Sequence, residues 1–309
     1  MRGESSNLLG KAGTCVVTTA APASAGASLR EAEALSRLAC FRCLTSPQLD
    51  EFLHDPARGT AHAREMATHR LLRRLRRGGH VVASRRLVGG PGGGTARVVY
   101  QLSESGHRLA RSTGGSAPGE RPWARTAAFV EHRLMTADVA LAFLRAARAQ
   151  QGHDLVAWES DREAAELLRF AVMPDARLVY AATTWELSAF VEVDLGSERP
   201  IRFADKIRRY LAAWRDGVWR EQLVIWPLVL TVAADGARAT ALRRAAEDVL
   251  EREDGVDAAD AAAFFFSAIA DVDAPAGPLG EIWQVAGRSG RRSIVDRAPQ
   301  GALADGAEA

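Results

Sequence analysis

Four acidic side chains and one lysine between residues 159 and 206 have the types and spacing to gather round a divalent cation. Asp175 follows Pro174 and opens the strand-like run "ARLVYAATT". Glu192 and Asp194 lie two apart in a second run, "LSAFVEVDLG". Strand side chains alternate, so these two acids share one face while Val191, Val193 and Leu195 take the other. Carboxylates held that close repel unless a cation lies between them, and a cluster of hard oxygen ligands suits Mg²⁺ or Mn²⁺. Glu159, read on a preceding helix, adds a fourth carboxylate. The expected metal set is Glu159, Asp175, Glu192 and Asp194; the alternative is a solvated sheet face with ordinary acids.

Lys206 follows in "ADKIRRYLAAW". Of 40 basic residues only two are lysine, the other being Lys11. Arginine is broad, planar and always charged, whereas a lysine ammonium is a compact point charge whose proton can be tuned. Lys206 and Tyr210 are four apart and share a helix face. If Tyr210 packs toward the sheet, Lys206 is carried toward Glu192 and Asp194. The alternative is a lysine retained by chance on a solvated helix.

The elements that must hold these residues follow a layer pattern. "AAFVEHRLMTADVALAFLRAARAQQG" is helical, and "LVAWESDREAAELLRF" reads as a helix or a turn into one. Two strands follow, then the helix "DKIRRYLAAWRDGVWRE". The apolar run in "QLVIWPLVLTVAADG" reads as a strand buried on both faces. The amphipathic helix "ARATALRRAAEDVLERE" and the strand-like "AAFFFSAIADV" complete a mixed α/β sheet.

The front of the chain differs. Residues 1–125 hold 19 basic and 9 acidic residues, and residues 126–309 hold 21 and 29. A basic front joined to an acidic back suggests a polyanion-binding module beside something else. "SLREAEALSRLACFRCLTSPQLDEFL" reads as two helices, the second started by Thr45 or Ser46 and Pro47. A third helix lies in "HAREMATHRLLRRLRRGGHVV", with Met66, Leu71, Leu72 and Leu75 toward a core and Gly78-Gly79 as its stop. "HVVASRRLV" and "ARVVYQLSE" flank the tip "GGPGGG", and "SESGHRLARS" is a short helix. Three helices, a hairpin and a short helix give the order of a winged helix-turn-helix. Arg70, Arg73, Arg74, Arg76 and Arg77 on the third helix, with Arg85 and Arg86 at the wing, are the expected DNA contacts. A solvated basic helix is the alternative. Cys40 and Cys43 form a lone C-x-x-C; zinc needs four ligands, so both are expected to pack.

The expected domains are a disordered tail over 1–27, the winged helix over 28–112, a Gly/Ser/Pro linker over 113–125, an α/β domain over 126–295 and a tail over 296–309. No apolar run reaches membrane-spanning length, the three cysteines make no disulfide framework, and the start does not read as a signal peptide. A cytoplasmic location is expected, with no membrane partner.

"PDA", "FVEVD" and "DKIRRY" together resemble the PD-(D/E)xK nuclease pattern, in which one strand opens on an acid and the next carries acid-x-lysine. Here Asp194 stands where lysine is expected, and the resemblance implies that Lys206 is relocated onto the following helix. The winged-helix start with "FRCLTSPQL", then "HRLMTADVALAFL", "PDA", "FVEVD", "KIRRY" and "GPLGEIW", give the chain from about 30 to 295 a resemblance to the bacterial replication-relaxation family of plasmids and mobile elements. The resemblance implies a winged helix followed by a nuclease-like α/β domain. It implies Asp175, Glu192 and Lys206 as catalytic residues, the lysine stabilising charge at the phosphate, with Mg²⁺ or Mn²⁺ as cofactor. It also implies duplex DNA, replication or conjugation proteins and a second copy of the chain as partners. The other reading is a non-enzymatic winged-helix regulator whose back domain dimerises or binds a partner. No tyrosine lies near a histidine pair of the kind a strand-transferring relaxase needs.

Overall fold

The structure is a computed structural model that describes residues 15–16, 28–84, 98–113, 126–196, 200–253 and 263–297. Most of both expected tails, residues 114–125 of the linker, the wing tip, Arg85 and Arg86 lie outside the described residues. The chain divides into two compact units, Met1–Leu134 and Met135–Ala309.

In the first unit a two-residue strand, β1 (Cys15–Val16), precedes α1 (Leu29–Phe41), β2 (Leu44–Thr45), α2 (Ser46–Leu53) and α3 (Ala61–Arg77). Then come β3 (Val81–Ala83), β4 (Val99–Leu102) and α4 (Glu104–Ser112). Local chemistry sets the boundaries. Ser28 with Glu31 and Thr45 with Gln48 form reciprocal capping boxes that satisfy the first free N–H groups of α1 and α2. Gly79, at φ 71°, closes α3: His80 N–H donates to Leu75 O and Gly79 N–H to Arg76 O. Gly106 is required by packing, since a Cβ there would meet the His80 carbonyl oxygen at 2.0 Å.

Leu35, Leu38, Leu71, Leu72 and Leu75 are buried together with Phe41 and Phe52, whose rings stack at 4.7 Å. Each such burial contributes roughly 1.5–3 kcal/mol. Thr68, not Met66, takes the core-facing place on α3. Met66 is 41% exposed, while Thr68 is fully buried and donates to Asp50 Oδ1 at 2.7 Å. β2, β4 and β3 form an antiparallel sheet in that order. Helix, strand, two helices and a strand pair constitute a winged helix-turn-helix. Cys40 and Cys43 are both buried thiols.

The second unit takes the later part of α5 (Ala127–Ala149), which straddles the division. It continues through β5 (Asp154–Ser160), α6 (Asp161–Leu167), β6 (Ala176–Ala181), β7 (Glu186–Asp194) and α7 (Pro200–Asp216). β8 (Leu228–Ala233), α8 (Gly236–Leu250), β9 (Phe264–Ala268), β10 (Trp283–Val285) and β11 (Arg291–Arg292) complete it. The strands of this unit run in sequence order across a mixed sheet. β5, β6 and β7 pair antiparallel, β7, β8 and β9 parallel, and β10 and β11 antiparallel again. All six residues of β8 are buried, as the apolar run predicts.

α6, α7 and α8 cover one face of the sheet through Ala164, Ile207, Tyr210, Leu211 and Leu242, packed on Phe190, Val229, Phe264 and Phe266. On the other face Phe143 of α5 meets Tyr180 edge to face, 6.2 Å between centroids. The architecture is mixed α/β with a small separate sheet, the expected class. No helix among the described residues is long and apolar enough to cross a membrane.

Candidate functional site

Alternation on β7 puts Phe190, Glu192 and Asp194 on the helix-covered face. Lys206 and Tyr210 come down from α7 onto the middle one. Tyr210 donates its hydroxyl to Glu192 Oε1 at 2.6 Å, and the Lys206 ammonium donates to Oε2 of the same carboxylate. Glu192 is 3% exposed. Burial pushes its carboxyl up to about 7; the Lys206 charge pulls against this and the nearby Asp175 charge adds to it. The Tyr210 phenol is raised well above its ordinary value by burial and then by Glu192.

Asp175 stands just before β6, opposite Glu192 in the antiparallel register. Its Oδ2 accepts the Val193 N–H at 2.9 Å, and its own N–H donates to Val191 O at 3.0 Å. Asp175 thus lies opposite Glu192, and the Lys206 amine reaches the Glu192 carboxylate from the helix face it shares with Tyr210.

The two remaining acids are engaged by arginines. Asp194 takes a two-pronged contact from Arg238, Nε to Oδ1 at 2.7 Å and Nη2 to Oδ2 at 2.9 Å. Gly196 N–H also donates to its Oδ1 at 2.7 Å. Glu159 lies on β5, not on a helix as its sequence context suggests. The helix begins only after Ser160, whose hydroxyl caps α6. A register shift between Leu155 and Ala157 interrupts the alternation that would mark β5 as a strand. Glu159 faces Arg177 across the strands and accepts its Nη1 at 2.7 Å; its Oε2 is buried without a partner among the described residues.

Thr231 on β8 is the parallel-register partner of Glu192. It is fully buried, and its hydroxyl has no hydrogen-bond partner among the described residues. No group of three or more His, Cys, Asp or Glu side chains is gathered for a metal among those residues. A hydrated Mg²⁺ needs only one or two carboxylates because it keeps several waters. Glu192, whose two oxygens are taken by Tyr210 and Lys206, fits that smaller donor set beside Asp175 only where the Lys206 ammonium yields Oε2. Asp194, with both oxygens on Arg238, does not.

Arg177, Arg238 and Thr231 belong to this neighbourhood, and the motifs of the sequence do not include them. Arg177 does carry a signal, since a basic residue two after Asp175 shares its strand face. Tyr180 meets one histidine, with its hydroxyl 3.1 Å from His153 Nδ1, but the ring is fully buried.

On the first unit, Arg70, Arg73, Arg74, Arg76 and Arg77 all lie on the exposed side of α3. They differ in engagement. Arg74 Nε donates to Glu31 Oε1 at 3.0 Å and Arg70 Nε to the Met66 carbonyl at 3.2 Å. Both line a cleft of about 380 Å³ together with Arg30 and His54. Arg73, Arg76 and Arg77 have no ion-pair partner among the described residues.

A family model described as replication-relaxation matches residues 35–229, a span holding α3, Asp175, Glu192 and Lys206. No curated protein and no solved structure matches the chain.

Proposed function

This chain belongs to the replication-relaxation family, and from that premise we propose a DNA-binding protein of plasmid or other mobile-element replication whose second unit hydrolyses phosphodiesters. The DNA-binding part rests on Arg73, Arg76 and Arg77, exposed and without ion-pair partners among the described residues, on the third helix of a winged helix-turn-helix. An ion-paired arginine has less to gain from a phosphate than an unpaired one, because its existing partner must first be released.

The hydrolytic part rests on one observation: Lys206 reaches Glu192 across from Asp175. Asp175 and Glu192 would hold Mg²⁺ or Mn²⁺, which when bound supplies Lewis-acid polarisation of a phosphate oxygen. Lys206 places a compact positive charge where negative charge develops on a phosphate, and Tyr210 fixes the Glu192 carboxylate in orientation. The side chain of Lys206 is 26% exposed, so the amine is accessible from solvent while Glu192 is not.

A second reading is favoured by Arg177 and Arg238, which neutralise Glu159 and Asp194. In it the second unit is a non-enzymatic partner-binding body beside the DNA-binding unit. Incubating the full chain with supercoiled and single-stranded DNA in Mg²⁺, Mn²⁺ or chelator separates the two. Metal-dependent cleavage that Asp175→Asn abolishes supports hydrolysis; DNA binding with no cleavage under any condition supports the second reading.

A further inference from the structure

We infer that Arg202 and Arg209 of α7 form a second phosphate-binding surface, on which a DNA strand lies across Lys206. This deepens the hydrolytic reading and rests on it for the direction of the strand toward the acids.

The helix itself sorts its arginines. At about 100° per residue, Arg202, Lys206 and Arg209 fall within an arc of roughly 60°. Lys206 stands at the edge of the buried face formed by Phe203, Ile207, Tyr210 and Leu211. Arg202 and Arg209 stand just outside it, one turn before and one turn after. Both are exposed, and neither has an ion-pair partner among the described residues. The arginines at 208 and 215 lie further round α7 and are paired. Arg208 Nη1 contacts Asp205 Oδ1 at 2.5 Å, and Arg215 Nη1 contacts Glu253 Oε2 at 3.1 Å. Asp205, the acid nearest to the Arg202 and Arg209 flank on this helix, is thereby engaged by Arg208.

Arg145, Arg162, Arg169, Arg177, Arg238 and Arg243 of the same unit all have carboxylate partners. Arg244, Arg252, Arg288 and Arg292 of this unit are likewise exposed without an ion-pair partner among the described residues, so what sets Arg202 and Arg209 apart is their place on either side of Lys206. They are about 10 Å apart along the helix axis, enough to contact successive phosphates of one strand. Guanidinium groups recognise phosphate by paired N–H donors, whereas Lys206 meets it as a point charge.

The test compares two double variants of the full chain, equal in charge removed: Arg202→Ala with Arg209→Ala, and Arg208→Ala with Arg215→Ala. Binding of labelled 30-nucleotide single strands and duplexes is followed by anisotropy over a salt series, with chelator present to prevent cleavage. The first double should lose about tenfold or more in affinity. Its salt slope on single strands should fall by about 1.4, the release of two phosphate contacts. The second double should match the wild type, and whichever DNA form shows the difference is the form the surface holds. Equal behaviour of the two doubles overturns the inference. If DNA binding responds to changes in Arg73, Arg76 and Arg77 but not to Arg202 and Arg209, this inference alone falls. A wild-type chain that binds neither form of DNA overturns it together with the proposed function.

Discussion

Lys206 donates to the carboxylate of Glu192 from a helix that begins only after β7 has ended, fourteen residues along the chain. Tyr210, one turn further on, takes the other oxygen of the same carboxylate. One glutamate thus ties α7 to the sheet at two points, beside the apolar packing of Phe203, Ile207 and Leu211, and holds the site lysine.

Lys206→Arg retains the charge but replaces a compact ammonium by a broad plane. Fold and DNA binding should persist, while metal-dependent cleavage should fall about a hundredfold or more, several kcal/mol at the transition state. Cleavage rates on supercoiled DNA decide it: near-normal turnover by this variant would show the lysine to be incidental to the reaction.

Glu192 gives stability a distinctive pH dependence. Its folded value of about 7 lies above the ordinary 4.5, so the folded chain keeps a proton that the unfolded chain has released. This contribution is complete below about pH 4.5, declines as pH rises, and is gone above about 7. Urea unfolding at several pH values should show the wild type losing up to about 3 kcal/mol over that window relative to Glu192→Gln. Parallel curves for the two proteins would mean that Glu192 titrates normally.

Arg73, Arg76 and Arg77 replaced together by Ala should weaken duplex binding and lower the salt slope by about 0.9 for each phosphate no longer held. Arg74→Ala should instead act mainly by loosening α1, because Arg74 is held by Glu31. If the triple variant binds with wild-type affinity and slope, the DNA lies on another surface.

The carboxylates should separate by role in metal titration. Asp175→Asn should lower Mn²⁺ affinity measured by calorimetry, and Glu159→Gln should leave it within a factor of about two, because Arg177 already engages Glu159. No heat of binding from the wild type at millimolar Mn²⁺ would remove the metal from the proposal.

Arg238→Ala strands the buried Asp194 charge and should cost about 3 kcal/mol in unfolding experiments. Arg208→Ala, at an exposed pair, should cost less than about 1 kcal/mol. A cost for Arg238→Ala no larger than that of Arg208→Ala would show that Asp194 is relieved by solvent.

What is legible in the sequence is mostly local. Thr45 before Pro47 marks the start of α2, Gly78-Gly79 the end of α3, and the four-residue spacing of Lys206 and Tyr210 their shared face. Several short strands escape notice, among them β10 and β11, and for two of the unread strands the physical reason is plain. β2 is two residues long and exists only by pairing with β4. β5 carries a bulge that hides its alternation, so its sequence assigns Glu159 to a helix. Helical spacing turns Met66 inward, but Thr68 can enter the core because Asp50 supplies its hydrogen bond. Arg177 and Arg238 engage acids 18 and 44 residues away. Only tertiary contact brings such pairs together, so spacing alone cannot announce which acids remain available.

The parallel pairing of β7, β8 and β9 has a consequence for the order in which the molecule matures. Each parallel neighbour can dock only after a whole crossover helix has been synthesised and has closed its loop. The first unit lies wholly ahead of these strands in the chain, so its contacts, including those of α1 with β4 and α4, can form first. During synthesis the winged helix is therefore complete while β8 and β9 are still to emerge, and Glu192 waits for the strand that bears Thr231. A ribosome-bound chain halted near residue 230, with β8 still inside the exit tunnel, should already protect the first unit from protease, with the acid-bearing strands still open to digestion.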